Sequence, residues 1–201
     1  MTVSAADVKS LRNRTGAGMM DCKVALAEAD GDVEKAIEIL RVKGQASATK
    51  REDRGTDEGV VSSYIHANHK VGAMLEVQCE TDFVARNEDF KAFAYEVALH
   101  IAAAAPAYVS PDDIPEEARE AERRVLEQAA RENGKPDDVV PKVVEGQLAK
   151  WAKEMTLLEQ EHVNTDKHDG KTIEELRLQI AAKTGENVRI ARFAYFRVGE
   201  D

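Results

Sequence analysis

Aromatic side chains are scarce in this sequence. They make up 5% of 201 residues and include one tryptophan, so each ring has to be accounted for individually. Cysteine is scarcer still: Cys22 and Cys79 are too few for a disulfide framework. No run approaches the ~18 consecutive apolar residues of a membrane span, so no membrane role is expected. The opening Met1-Thr2-Val3-Ser4-Ala5-Ala6-Asp7 has neither the basic nor the apolar region of a secretory signal, and an Arg-rich, acid-poor transit segment is also missing. A cytoplasmic, reducing setting is therefore expected. Positive charge is in deficit as well. Lys and Arg number 28 against 38 Asp and Glu, a net charge of −10, which disfavours a general nucleic-acid binder.

Catalytic patterns are missing too. There is no Ser/His/Asp order, nucleophile elbow or zinc helix. Thr15-Gly16-Ala17-Gly18 has the glycines of a phosphate loop. It follows a helix rather than a strand and lacks the Gly-Lys-Ser/Thr ending, so it reads as a tight interhelical turn. His66 and His69 near Cys79 raise a metal reading, but they flank a turn and complete no tetrahedral set. The numerous carboxylates follow helix surfaces, where solvated charge is their ordinary role. No metal, cofactor or active site is expected, and the chain reads as a non-enzyme.

What is present fits a folded, helix-rich protein: 33% charged and 43% hydrophobic residues, enough for one domain or one plus a small module. Residues 4–46 read as three short helices. Ser4 caps the first, with Asp7 in its first turn and Val8 and Leu11 inward. The second, from about Met19 to Glu28, is expected to bury Met20, Val24 and Ala27, with Leu26 near the edge. Asp32 caps the third, whose apolar face is Val33, Ala36, Ile37 and Leu40 and whose end is expected at Gly44. So small a module suits docking or binding. Residues 47–58 are polar and read as a linker or a solvated helix extension.

Residues 59–201 form the expected core. Val60 to His66 and Val71 to Glu80 make a hairpin. Asn87 caps a helix with Phe90, Phe93, Val97 and Ile101 on one face. Pro115 is placed at the first position of a charged helix, about 116–132, with Ala118, Ala121, Val125, Leu126 and Ala129 as its apolar stripe. Pro141 must lie in the first turn of the next helix, which carries Trp151 as a core residue. Residues 156–163 read as extended and 164–170 as a loop. Thr172-Ile173-Glu174-Glu175 opens a helix running to about Gly185, with Ile173, Leu176, Ile180 and Ala181 inward, and Val188 to Val198 is the last strand. That strand is partly apolar on both faces, and Met74 adds to this on the hairpin, so a covering layer or a second subunit is expected over the second face. The fold class is α+β: a three-helix module, then helices packed on a small antiparallel sheet.

The chain is organised around Leu75 to Asn87. Strand alternation ends at Thr81-Asp82-Phe83-Val84, where a short loop is expected between strand and helix. Such a corner is a rigid mount for a protruding side chain. By composition alone Phe83 is core, because most large apolar residues are buried.

Arg14-Thr15-Gly16-Ala17-Gly18-Met19-Met20-Asp21-Cys22-Lys23, then Ala25-Leu26 and Gly31-Asp32-Val33-Glu34-Lys35-Ala36-Ile37, closely resemble the N-terminal module of the bacterial elongation factor Ts family. Thr81-Asp82-Phe83-Val84-Ala85-Arg86-Asn87 looks like that family's central signature, and Val144-Glu145-Gly146, Leu157-Leu158-Glu159-Gln160 and Gly185-Glu186-Asn187 follow in order. The resemblance implies an N-terminal module similar to ubiquitin-associated domains and a guanine-nucleotide exchange activity on elongation factor Tu. It implies the short form, without coiled-coil insertion or second half, acting as a homodimer through the core. It implies partner contacts at Arg12, Met19, Met20 and Lys23, and at Thr81, Asp82, Phe83 and Val84. Asp82 and Phe83 would act near the partner's magnesium site, which turns Phe83 from core to exposed. Two other classes stand beside it: an adaptor for a peptide or ubiquitin-like partner, and an enzyme using Cys79 or Cys22.

Overall fold

The computed structural model describes residues 3–200. Met1, Thr2 and Asp201, which the expected module bounds include, lie outside the described residues. In chain order the elements are α1 (Ala5–Thr15), α2 (Met19–Glu28), α3 (Val33–Thr49), β1 (Glu58–Ile65), β2 (Val71–Cys79), α4 (Asp82–Ala85), α5 (Glu88–Ala104), α6 (Glu116–Glu132), α7 (Val140–Met155), α8 (Thr165–His168), α9 (Ile173–Thr184) and β3 (Arg189–Arg197). The class is α+β, with a three-stranded antiparallel sheet in the order β1-β2-β3. The chain divides into two compact units. One holds the residues up to Ser62 with Glu76–Tyr95 and Glu175–Ile190; the other holds Ser63–Leu75, Glu96–Glu174 and the residues from Ala191 on.

In the first unit the caps obey local rules. Ser4 and Asp7 form a reciprocal capping box, the Ser4 hydroxyl accepting from the Asp7 N–H at 3.1 Å. Asp32 accepts from the N–H groups of Glu34 and Lys35 at the start of α3. Gly16, at φ +71°, ends α1 in the left-handed region that glycine enters without penalty. Val8 and Leu11 then pack with Cys22, Ala25, Leu26, Ala29, Ala36 and Leu40 in one small core.

That core corrects the expected phase of α2. Cys22, Ala25 and Leu26 are buried, while Met20 is 68% exposed and Val24 and Ala27 also face outward. The inward stripe is Cys22, Ala25 and Leu26, and Met19, Met20 and Val24 are left on the outer side. The end of α3 is corrected as well. Gly44 lies within the helix, where an added Cβ would come within 3.3 Å of the Ala182 side chain on α9. The glycine marks a close approach there rather than a stop.

In the second unit the register can be read from two hydrogen bonds. The His66 N–H donates to the Val71 carbonyl at 2.9 Å, and the Val198 N–H to the Lys70 carbonyl at 2.9 Å. Ile65, Gly72 and Phe196 therefore form one row across the strands, and Ser63, Met74 and Ala194 the next. Ile65, Met74, Phe196 and Val198 on this side are exposed, whereas Ala73 and Leu75 on the other are buried. On α6 the expected stripe is shifted: Val125, Ala121 and Ala129 are exposed, and Ala130 with part of Leu126 packs on Val140 and Val144 of α7. Pro115 is the cap residue of α6 rather than its first helical residue, Pro141 sits in the first turn of α7, and Trp151 is half-buried. The segment expected to be extended starts as a 3-10 turn, Leu157–Glu159, and the expected loop contains α8, whose N-terminal N–H of Lys167 is capped by Asn164.

The corrected phase of α2 has an energetic consequence. Leu26→Ala should cost about 2–5 kcal/mol of unfolding free energy, and Val24→Ala about 0.5 kcal/mol or less. Urea denaturation of the two variants measures both, and equal losses would contradict the assignment.

Candidate functional site

β2 delivers the chain to a corner and α4 takes it away. Ala73, Leu75, Val77 and Cys79 are buried along one face of β2. At Thr81 the backbone is still extended, and this residue caps α4, its hydroxyl accepting from the Val84 N–H at 3.5 Å. The expected loop is thus a single helical turn. Ala85 is buried and Val84 half-buried, which pins the turn from below. Phe83 points away and is 81% exposed. The Asp82 carboxylate pairs with Arg86 across one turn at 2.9 Å. Asn87 then caps α5, accepting from the Asp89 N–H at 2.8 Å.

The turn that follows α9 fastens this corner. Glu186 Oε2 accepts from the N–H groups of Glu80 and Thr81, both at 3.0 Å, and its Oε1 accepts from the Thr81 hydroxyl at 2.6 Å. In return, Glu80 Oε1 accepts from the Asn187 N–H at 2.6 Å. The Asn187 amide donates to the carbonyls of Glu52 and Arg54 at 3.1 and 3.0 Å. Spacing could not have found Glu186, which is 105 residues from Thr81; the signal available was its place in Gly185-Glu186-Asn187.

The N-terminal candidates form a second patch of the same unit. Arg12 on α1 and Lys23 on α2 are exposed, as are Met19, Met20 and Val24. Ion pairs tie α9 to other helices of this unit: Glu175 with Arg41 of α3, and Lys183 with Asp89 of α5 at 2.6 Å. The aliphatic part of Lys183 also lies against Gly16, where an added Cβ would meet it at 3.3 Å.

Neither thiol is set up as a nucleophile. Both are buried. Burial, with Glu186 nearby, pushes the Cys79 thiol up to about 11, and its Sγ donates to the Thr81 carbonyl at 3.3 Å. His66 and His69 are exposed.

The second unit gathers Glu96, His162 and His168, whose ligand atoms lie within 4.8 Å of one another. The donor chemistry does not fit a resident cation. His162 Nδ1 accepts from the Asn164 N–H at 3.0 Å, which leaves the ring proton on Nε2, donating to the Glu96 carbonyl at 3.1 Å. That ring therefore has no lone pair to offer. The Lys167 ammonium already holds the Glu96 carboxylate at 2.5 Å. Next to it, His100 Nδ1 accepts from the Val163 N–H at 3.2 Å while Nε2 donates to Gln160 at 2.8 Å. His100 and His162 fasten residues 160–164 through neutral rings.

Comparison with known proteins decides the family. The model for "Elongation factor TS" matches residues 4–169. An elongation factor Ts of Caldanaerobacter subterraneus subsp. tengcongensis is 50% identical over 198 residues, 98% of each chain. Those of Desulfosudis oleivorans and Geobacter sulfurreducens are 51% and 47% identical, over 99% and 100% of this chain and 99% and 91% of theirs. The chain belongs to the elongation factor Ts family. Membership places it in translation elongation. Among the described residues of this elongation factor Ts family member, no helix is long and apolar enough to cross a membrane.

The histidine cluster sets a pH dependence. Burial holds His100 down from 6.5 to about 4, against the upward pull of its bond to Gln160, and burial also lowers His162. Burial alone would raise Glu96, but its bonds to Lys167 and His168 outweigh that and lower it. His100 takes up its proton near pH 6.5 in the unfolded chain, while the folded chain refuses it until about pH 4. Stability is therefore intact above the unfolded value and drains as pH falls through this window, by on the order of 3 kcal/mol for His100. Urea midpoints should fall across that range, and His100→Gln should flatten the profile; a flat profile in the unsubstituted protein would contradict the cluster's role.

Proposed function

We propose that this protein is a guanine-nucleotide exchange factor that promotes GDP release from elongation factor Tu by stabilising the nucleotide-free state. The observation that carries the reading is an exposed phenylalanine held at a fastened corner in a chain of this family. A surface ring of this kind leaves apolar area in water that only a partner can cover. Phe83 would wedge between side chains of the GTPase near its magnesium site, and Asp82, steadied by Arg86, would hydrogen-bond there or orient the turn. Weaker magnesium ligation loosens the phosphates, where the nucleotide's charge is concentrated. Exchange then follows from linkage: whatever factor by which the protein weakens GDP binding, GDP weakens protein binding equally. GTP completes the cycle by displacing the protein. No covalent step, metal or cofactor of the chain's own is involved, and the setting is the cytoplasm.

Residues 1–46, a module similar to ubiquitin-associated domains, would dock on the GTPase through Arg12, Met19, Met20 and Lys23, with residues 47–58 leading to the core at 59–201. Residues of the core would grip a further domain of the partner. A homodimer through the core sheet would cover Ile65, Met74, Phe196 and Val198, whose exposure supports this part of the reading. The adaptor reading keeps one observation in its favour, the exposed Met19, Met20 and Val24 on α2. It requires that no GTPase nucleotide be affected.

Two measurements test these statements. Phe83→Ala should slow stimulated release of fluorescent GDP from elongation factor Tu by at least about tenfold, a loss of ~1.4 kcal/mol, with unchanged circular dichroism. Normal exchange by that folded variant would remove the wedge. Sedimentation should give a dimer mass that Phe196→Glu reduces to a monomer; a monomeric parent protein would rule out the dimer.

A further inference from the structure

We propose that Glu186 is a positioning residue for nucleotide exchange, acting on the partner through Phe83; this rests on the exchange reading above. Gly185 ends α9 at φ +76°, and the reversed chain brings Glu186 to the end of β2. One carboxylate oxygen there takes two successive backbone N–H groups, and the other takes the hydroxyl of the residue that caps α4. The three bonds fix the two backbone N–H groups and the capping hydroxyl, which set where α4 begins and the direction in which it leaves. Phe83 is the second residue of that helix, so any rotation of the turn about Thr81 swings its ring. The reciprocal bond from the Asn187 N–H to Glu80 closes the clamp from the other side. Asn187 is anchored in turn on the Glu52 and Arg54 carbonyls.

The chemistry distinguishes a clamp from a charge requirement. In Glu186→Gln the amide oxygen can still accept both backbone N–H groups, and the amide nitrogen can donate to the Thr81 hydroxyl. Glu186→Ala can do neither, and solvent would take over the three donors in a looser arrangement.

The test combines amide exchange with nucleotide exchange, using the full chain. Glu186→Ala should lose hydrogen-exchange protection at the Glu80 and Thr81 amides and slow stimulated GDP release by at least about fivefold. Glu186→Gln should restore most of both. In the Phe83→Ala background, Glu186→Ala should cause no further slowing, because the ring through which it acts is gone. If Glu186→Ala fails to fold, Thr81→Val, which removes the hydroxyl's bond to Glu186 together with its cap on the Val84 N–H, should slow release with the same dependence on Phe83. Lost amide protection with normal exchange would overturn the positioning role alone, as would multiplicative losses in the double variant. Normal exchange by Phe83→Ala would instead overturn the reading on which it rests.

Discussion

Where β2 gives way to α4, two successive backbone N–H groups belong to neither element. A strand has stopped pairing there and a helix has not yet begun, and unmet donors at a half-covered corner are costly. The Glu186 carboxylate accepts both, together with the Thr81 hydroxyl. Everything notable about the corner follows from that. With its backbone satisfied internally, the turn can leave Phe83 outside. Covering such a ring is worth about 1.5–3 kcal/mol, free energy that remains available for a contact.

The same division between what is fastened and what is left free runs through the first helices. Leu11, Leu26 and Leu40 interleave with the smaller Cys22, Ala25 and Ala36 in the interior of the small module, and Met19, Met20 and Val24 remain outside. Reading every apolar residue of α2 as buried misplaces its phase, because Cys22, Ala25 and Leu26 face inward while Met20 and Val24 lie on the surface. In the second unit, one side of the hairpin and of β3 is similarly apolar and uncovered.

Features governed by neighbouring residues were legible in the sequence. The hairpin, the capping residues Ser4, Asp32 and Asn87, the first-turn Pro141 and the buried face of α5 each depend on a few adjacent positions, and the α+β class followed from them. What was not legible depends on distant ones. Gly44 has the look of a helix end, and only the Ala182 side chain explains why a glycine stands inside α3. The histidines of α5 and of residues 162–168 meet across more than sixty positions, so no spacing rule joins them. At the corner, strand alternation located Thr81–Val84 but could not decide whether Phe83 was buried. The family resemblance pointed outward, and the capped turn of α4 displays the ring.

Phe83 and the exposed methionines of α2 belong to one compact unit, reinforced by the Arg41–Glu175 and Asp89–Lys183 pairs and by Lys183 lying over Gly16. Under the proposed exchange function, two apolar contacts carried on one unit would act as a caliper. Their separation would be set when the chain folds, so a surface that matches the gauge would meet the second contact without a fresh loss of orientational freedom. A surface of the wrong span would be refused even if it fitted either jaw alone. Selectivity of that kind would need no additional side chain at either contact, because it would be held in the length of the frame between them.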